Sequence, residues 1–264
     1  MTDDQGFRAP ADAYDRHIGR YGPELARELI AAAGVGPGDR VLDVGCGPGA
    51  LTGELVALAA QPQLVSAVDP SPPFAAACAE RFPGADVRAG TAEALPFGDS
   101  AFDAALAQLV VNFMADATAG VREMARVVRP GGAVGLAVWD YASGMTLLRR
   151  FWDAAEALDP AAADRDEGRT MRYCSPGELT RLLTGAGLEA VVVDAVIVTA
   201  WYDGRDDLWA PLEQGVGPSG AYVAALAPEG RAALRAELFR RLEVIDAPFM
   251  LDARAFVATG RVAR

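Results

Sequence analysis

The chain has 264 residues, of which 52% are hydrophobic, and it carries a formal net charge of −12 at pH 7. This length and apolar content suffice for one well-cored domain with a modest accessory element and disfavour a second large domain. The negative charge disfavours nucleic-acid partners, because proteins that contact phosphates present a basic surface.

Two further classes are disfavoured. No segment approaches the roughly 18 apolar residues of a membrane span, so we expect a cytoplasmic protein without one. The three cysteines have neither CxxC spacing nor a neighbouring histidine. The sequence therefore predicts no metal site and no disulfide framework.

A helix-like segment at residues 12–33, interrupted near residues 19–23, opens the predicted fold. Helical spacing puts several polar and aromatic side chains of this segment on one face: Tyr14, His17, Arg20 and Tyr21. They form either a solvated face with tyrosines packed on the core, or a face that reaches a ligand. His17 is the single histidine, which makes it a candidate base, although a lone histidine is more often structural.

An apolar run then stops at three glycines spaced every second residue, in VLDVGCGPG at residues 41–49. This pattern predicts a buried strand that turns sharply into a helix over about residues 50–60. Glycine lets a ligand lie against the backbone, and a helix N-terminus favours anionic or polar groups. Since Gly45, Gly47 and Ala50 also fit G-x-G-x-x-G/A, the glycines alone do not choose between a nicotinamide cofactor and another nucleoside.

Two acidic residues accompany the glycine loop. Asp43 lies inside the first strand, where a carboxylate needs a cation or donors, so it suits a ligand with an ammonium group. A second strand, residues 64–68, ends in Asp69, which is placed to accept hydrogen bonds from both ribose hydroxyls of a nucleoside. The two positions together favour an adenosine-type ligand.

Strand and helix patterns alternate along the rest of the chain. Strands are predicted at residues 86–89, 102–107 (ending at Gln108), 133–139, 188–198 and 253–262, helices at 116–128 and 175–186, and a turn at 129–132. Such alternation predicts a mostly parallel sheet with helices on both faces. Ligands then bind outside the carboxyl ends of the strands.

About 50 residues, 199–252, separate the last two strands and are too many for an unstructured connection. We predict helices at 221–226 and 228–244, with aromatic side chains clustered around them: Trp201, Tyr202, Trp209 and Tyr222. Together with residues 145–157 they form either a roof suited to a flat or lipophilic acceptor, or ordinary packing against the sheet.

Five ordered motifs resemble the class I S-adenosylmethionine-dependent methyltransferases, especially the small-molecule branch of quinone-biosynthesis C-methyltransferases. The motifs are VLDVGCGPG at 41–49, VDPS at 68–71, AEALPF at 92–97, FDAAL at 102–106 and EMARVVRPGG at 123–132. The resemblance covers about residues 12–140. It implies a Rossmann-like, doubly wound α/β fold with a seven-stranded, mostly parallel sheet. The last strand of that sheet is antiparallel, between the fifth and the sixth.

In domain terms the resemblance implies one domain overall. Residues 1–140 would hold an N-terminal cap segment and the cofactor-binding half, and residues 141–264 the rest of the sheet, with residues 199–252 as a helical substrate lid. The implied cofactor is S-adenosyl-L-methionine, which becomes S-adenosyl-L-homocysteine. By resemblance its binding residues are Tyr14, Arg20, Asp43, Gly45, Cys46, Gly47, Asp69, Pro70, Ala92, Glu93 and Gln108.

Within this set, the backbone near Gly45 and Gly47 would hold the methionine part, Asp69 the ribose, and Ala92 with Glu93 the adenine. Thr91 stands where many relatives carry aspartate, so adenine contact rests more on Ala92 and Glu93. Gln108 and its neighbour Asn112 are also candidates for orienting an acceptor. The predicted substrate residues are Asn112, Trp139 and Trp201.

The sequence thus predicts methyl transfer to oxygen or carbon of a small molecule such as a quinone, a polyketide or another secondary metabolite. His17 and Tyr14 are the candidate bases if the acceptor must lose a proton. Two alternatives stay open: a protein with the same fold and cofactor but another chemistry or a binding role, and a nicotinamide oxidoreductase. The sequence is also compatible with a homodimer.

Overall fold

The computed structural model describes residues 11–264, and these residues contain a seven-stranded sheet flanked by helices. The strands are β1 (Val41–Val44), β2 (Val65–Asp69), β3 (Asp86–Ala89), β4 (Phe102–Gln108), β5 (Val128–Trp139), β6 (Glu189–Tyr202) and β7 (Phe249–Arg261). Their spatial order is β3-β2-β1-β4-β5-β7-β6. The first five strands pair in parallel, and the sheet contains one antiparallel strand. This order confirms the predicted fold, with β7 between β5 and β6.

The described helices alternate with most of the first five strands, then three helices separate β5 from β6 and three separate β6 from β7. They are α1 (Ala11–Arg16), α2 (Gly22–Ala33), α3 (Ala50–Leu58), α4 (Pro72–Arg81), α5 (Ala117–Val127), α6 (Thr146–Leu158), α7 (Glu167–Thr170), α8 (Pro176–Gly185), α9 (Arg205–Glu213), α10 (Gly217–Ala225) and α11 (Pro228–Leu242). Over residues 11–264, no helix has both the length and the apolar character that crossing a membrane requires.

The chain divides into two compact units, each built from three segments. The sheet unit comprises residues 22–138, 172–196 and 255–264, and the helical unit comprises residues 11–21, 139–171 and 197–254. Strands β6 and β7 continue from one unit into the other. The predicted insertion at 199–252 lies in the helical unit, whereas its role as a substrate lid stays a prediction.

The core of the sheet unit follows from apolar runs in its central strands. All residues of β1 and β2 are buried, whereas the edge strand β3 is mostly exposed. Continuous apolar runs are typical of parallel strands that are covered on both faces. Helices α5 and α8 bury Met124 and Leu183 in the same cluster as Leu42 and Leu136.

The predicted turn at residues 129–132 lies inside β5 as the structure has it. Phe102 pairs with Val128 and the next pair is Ala104 with Ala133, so the turn residues leave the β4 ladder. The backbone N–H of Val262, the residue after β7, instead donates to the Gly132 carbonyl at 3.0 Å. A contact distant in sequence therefore fixes the turn residues.

The glycine loop supplies a test of the fold. Gly49 has φ +103°, and a Cβ there would lie 2.6 Å from Cε2 of Phe82. We expect Gly49→Ala to destabilise the protein by about 1–3 kcal/mol through strain and overlap. Gly38 is the control, because a Cβ there meets nothing within 4 Å. Urea unfolding of both variants measures the difference, and equal stability would contradict the strain argument.

Candidate functional site

The loop between β1 and α3 holds three glycines in the left-handed region, with different surroundings. A Cβ at Gly45 would lie 2.5 Å from Cγ2 of Val110, so close packing demands glycine there. At Gly47, with φ +53°, no heavy atom lies within 4 Å of the added Cβ. Gly47 therefore presents open backbone, as a ligand-binding loop requires.

Asp69, the buried last residue of β2, ties this loop to the neighbouring strand. Its Oδ2 accepts a hydrogen bond from the Gly47 N–H at 2.8 Å, and its Oδ1 accepts one from the Ser71 N–H at 2.8 Å. Burial raises the pKa of Asp69 above its usual value, and these two hydrogen bonds only partly oppose that rise. Each carboxylate oxygen keeps a lone pair, so the pair can still accept hydroxyl donors. The next residue, Pro70, is exposed.

Asp43 is 1% exposed and only half satisfied. Its Oδ2 accepts a hydrogen bond from Oγ1 of Thr52 at 2.6 Å, while its Oδ1 is buried without a partner among the described residues. Burial raises the pKa of Asp43 to about 7, although the Thr52 bond lowers it. A buried, unpaired carboxylate oxygen is costly, and an ammonium or N–H group of a ligand would satisfy it.

Cys46, within the glycine loop, packs with Cys78 and Ala67 in a small buried cluster. A hydrogen bond with Cys78, together with burial, raises the pKa of the Cys46 thiol well above its usual range. A protonated thiol is a weak nucleophile, which argues against nucleophilic chemistry at Cys46, and its predicted contact with the cofactor stays a prediction. The described residues contain no group of three or more His, Cys, Asp or Glu side chains arranged for a metal ion.

Ala92 and Glu93 form a short 3-10 turn after β3. Ala92 is buried, and Oε1 of Glu93 accepts a hydrogen bond from the Asp116 N–H at 3.2 Å. The Glu93 side chain is thus held at the start of α5. Its predicted contact with an adenine stays a prediction.

Gln108 is the last residue of β4, and only one end of its side-chain amide has a hydrogen-bond partner among the described residues. Its Nε2 donates to the Gly22 carbonyl at 3.1 Å, while its Oε1 is buried without a partner among the described residues. The following residue, Leu109, has φ +60°, and its N–H donates to the Ala137 carbonyl at 2.8 Å. A non-glycine residue in this region stores about 1–3 kcal/mol of strain. The prediction missed Leu109, because leucine carries no sequence signal for such a turn.

Asn112 is bound to the segment that precedes α8. Its Nδ2 donates to the Arg172 carbonyl and contacts Sγ of Cys174 at 2.9 Å. Its Oδ1 is buried without a partner in the described part of the chain. The predicted substrate contact of Asn112 stays a prediction.

In the helical unit, His17 is 2% exposed, and burial together with the charge of Arg20 lowers its pKa to about 3. The imidazole is therefore neutral at physiological pH and a weaker proton acceptor than a free histidine. Tyr14 is half-buried, and its backbone carbonyl accepts a hydrogen bond from the backbone N–H of His17 at 3.0 Å. The predicted catalytic roles of both residues stay predictions.

Arg20 pairs with an acidic residue of α9. Its Nη1 lies 3.0 Å from Oδ2 of Asp207, and its guanidinium lies 4.1 Å from the ring centroid of Tyr202. Any ligand that uses Arg20 must replace Asp207 or share Arg20 with it.

Trp201, also a predicted site residue, is 56% exposed, and its indole N–H donates to Asp203 at 2.9 Å.

Trp139, the last residue of β5, is fully buried, and its indole N–H has no acceptor among the described residues. Tyr21 stands edge-on to it, with ring centroids 5.6 Å apart, and the Tyr21 hydroxyl lies 3.2 Å from that of Tyr202. Burial raises the pKa of Tyr202 to about 12 and that of Tyr21 further. Both phenols are therefore protonated. Neither tyrosine is among the residues predicted to bind cofactor or substrate, since the two lie 181 positions apart in the sequence.

Comparison with known proteins bears on this site. A family model described as a methyltransferase domain matches residues 42–136. An uncharacterized protein of Mycobacterium tuberculosis is 30% identical over 237 residues, which are 85% of this chain and 80% of that protein. A demethylmenaquinone methyltransferase of a Mycobacterium species is 44% identical over 108 residues, 40% of this chain and 44% of that enzyme.

A solved structure shows the same fold. Phosphoethanolamine N-methyltransferase 2 of Haemonchus contortus, in complex with S-adenosyl-L-methionine, superposes with a TM-score of 0.57 at 16% identity. The match covers 91% of this chain and 53% of that one. The strand order, the glycine loop and the matches agree, and the chain belongs to the S-adenosylmethionine-dependent methyltransferase family.

Proposed function

We propose that the protein transfers a methyl group from S-adenosyl-L-methionine to a small-molecule acceptor, such as a quinone, a polyketide or another secondary metabolite. Two facts support a small acceptor. The net charge of −12 disfavours a phosphate polymer, and the similar Mycobacterium enzyme is named for demethylmenaquinone. We place this activity in the cytoplasm, as the sequence predicts.

The sheet unit offers fitting groups for each part of the cofactor. The open backbone at Gly47 and the unpaired oxygen of Asp43 suit the methionine part, with its ammonium group. Asp69 suits the ribose hydroxyls, and Ala92 with Glu93 suits the adenine. When bound, the sulfonium supplies an activated methyl group, so the protein has to align the acceptor and exclude water.

The single observation that carries the acceptor class is the buried, unpaired indole N–H of Trp139. An unsatisfied buried donor costs about 1–3 kcal/mol, which an acceptor oxygen would recover. The neighbouring Tyr21 and Tyr202 hydroxyls, both protonated, form a second polar group in an otherwise aromatic cluster. This cluster suits a ring compound with a carbonyl or hydroxyl oxygen.

The test of the proposed function is methyl transfer from labelled S-adenosyl-L-methionine. The purified full chain is incubated with hydroquinones, phenolic polyketides and a small-molecule extract of a bacterium, and separately with tRNA and DNA. We expect label in a small molecule and one S-adenosyl-L-homocysteine for each methyl transferred. Label in nucleic acid would contradict the proposal, and cofactor binding without any transfer would favour the non-methylating alternative.

Asp43 should make cofactor binding depend on pH. A carboxyl with a pKa of about 7 is mostly protonated at pH 6 and mostly ionised at pH 8, and only the ionised form attracts an ammonium. We expect affinity for S-adenosyl-L-homocysteine to rise about tenfold from pH 6 to pH 8. Calorimetry on Asp43→Asn, which keeps an acceptor for Thr52, is the control. If that variant shows the same pH profile as the wild type, Asp43 does not hold the ammonium.

Trp139→Phe should raise the KM for the acceptor by up to about tenfold, since a hydrogen bond contributes about 0.5–1.5 kcal/mol. Cofactor affinity should stay unchanged. Trp152→Phe is the matched control, because Trp152 is equally buried but its N–H is paired with Glu167 at 3.0 Å. The control should lose stability and keep its KM. A wild-type KM for Trp139→Phe would refute the contact.

A further inference from the structure

A cleft of about 290 Å³ opens between α6, α10 and α11, wholly within the helical unit. Its walls are mostly apolar and include Leu158, Leu226 and Leu234. Leu158 is 51% exposed, so the cleft communicates with solvent. The volume lies just below the usual range of small-molecule sites, about 300–1,000 Å³.

Small residues where α6 and α11 face each other leave this space open. Ala155 lies on α6, and Gly230 and Ala233 lie on α11. A Cβ at Gly230 would lie 3.7 Å from Cβ of Leu226, an ordinary contact, and Gly230 is not among the glycines with positive φ. Glycine in a helix costs about 1 kcal/mol relative to alanine. Neither backbone conformation nor crowding requires glycine here, and its effect is to widen the cleft.

The polar groups of the cleft are Tyr222 and Asp159. The Tyr222 ring is fixed by edge-on contacts with Trp152 and Phe151, at centroid distances of 5.5 Å and 6.2 Å. Burial and the charge of Asp159 raise the pKa of Tyr222, so its hydroxyl is protonated and can donate or accept a hydrogen bond. A rigid hydroxyl beside apolar walls is the arrangement of a site that orients a mainly apolar ligand.

We propose that this cleft binds a small, planar ring compound with one oxygen substituent, of the phenol or naphthol type, through apolar contact and the Tyr222 hydroxyl. The volume fits a ring system and is too small for a segment of a folded partner. Tyr222 and Ala155 belong to the predicted acceptor roof, but none of the residues on which the proposed function rests lines this cleft. Direct binding of a ligand here is therefore tested independently of methyl transfer.

Binding of 1-naphthol to the full chain, measured by calorimetry, tests the proposal. Ala233→Phe fills the cleft and should weaken binding at least tenfold. Ala233 and Ala232 are both exposed, but only Ala233 lines the cleft, so Ala232→Phe is the matched control and should bind as the wild type does. Gly230→Leu is a second blocking variant, which gains helix propensity and should remain folded. Thermal unfolding checks that each variant is folded.

Tyr222→Phe tests the hydroxyl contact. We expect about two- to tenfold weaker binding of 1-naphthol and unchanged binding of naphthalene, because one hydrogen bond is removed. The proposal is overturned if the wild type shows no saturable binding, if the blocking variants bind like Ala232→Phe, or if Tyr222→Phe leaves 1-naphthol affinity unchanged. It is also overturned if the blocking variants change the sedimentation coefficient and not the affinity, since the cleft would then be a contact between copies of the chain.

Discussion

The hydrogen bond from the Gly47 N–H to the Asp69 carboxylate is the interaction on which the candidate cofactor site depends. It joins the loop after β1 to the end of β2, so two neighbouring strand ends act as one rigid edge. Because a charge-assisted bond is about twice as strong as a neutral one, Asp69 can hold the loop open at Gly47. The same carboxylate retains lone pairs, which the proposed contact with the ribose would use.

Incomplete hydrogen bonding marks the polar residues around this edge and around the aromatic cluster. Asp43 and Gln108 each bury an oxygen, and Trp139 buries an N–H, without a partner in the described part of the chain. Each unsatisfied group costs about 1–3 kcal/mol against a total stability of about 5–15 kcal/mol. A ligand that pairs with such a group recovers this cost, which makes the three groups candidates for ligand contacts.

Local patterns predicted the parts of the fold that local physics determines. The apolar runs of β1 and β2 and the glycines after β1 follow from burial and from the backbone freedom of glycine, and the position of β7 came from the family resemblance. The left-handed Leu109 and the helix α9 escaped prediction. Leu109 is held by a hydrogen bond to β5 and α9 contains an internal Pro211, so tertiary contacts override their local preferences.

Arg20 shows why residue type and spacing alone do not define a site. Its place on a helix face predicted either a solvated side chain or one that reaches a ligand, and the structure pairs it with Asp207, 187 residues away. The pair is only partly exposed, at 14% and 28% of the two side chains, so its separation would leave Asp207 short of its partner. A ligand carboxylate must therefore replace Asp207 or bind beside it. Burial is the larger cause of the lowered pKa of His17 and the charge of Arg20 the smaller one, so movement of Arg20 away from His17 would raise that pKa only in part. The candidate base His17 and the candidate cofactor contact Arg20 are thus coupled through the charge of Arg20.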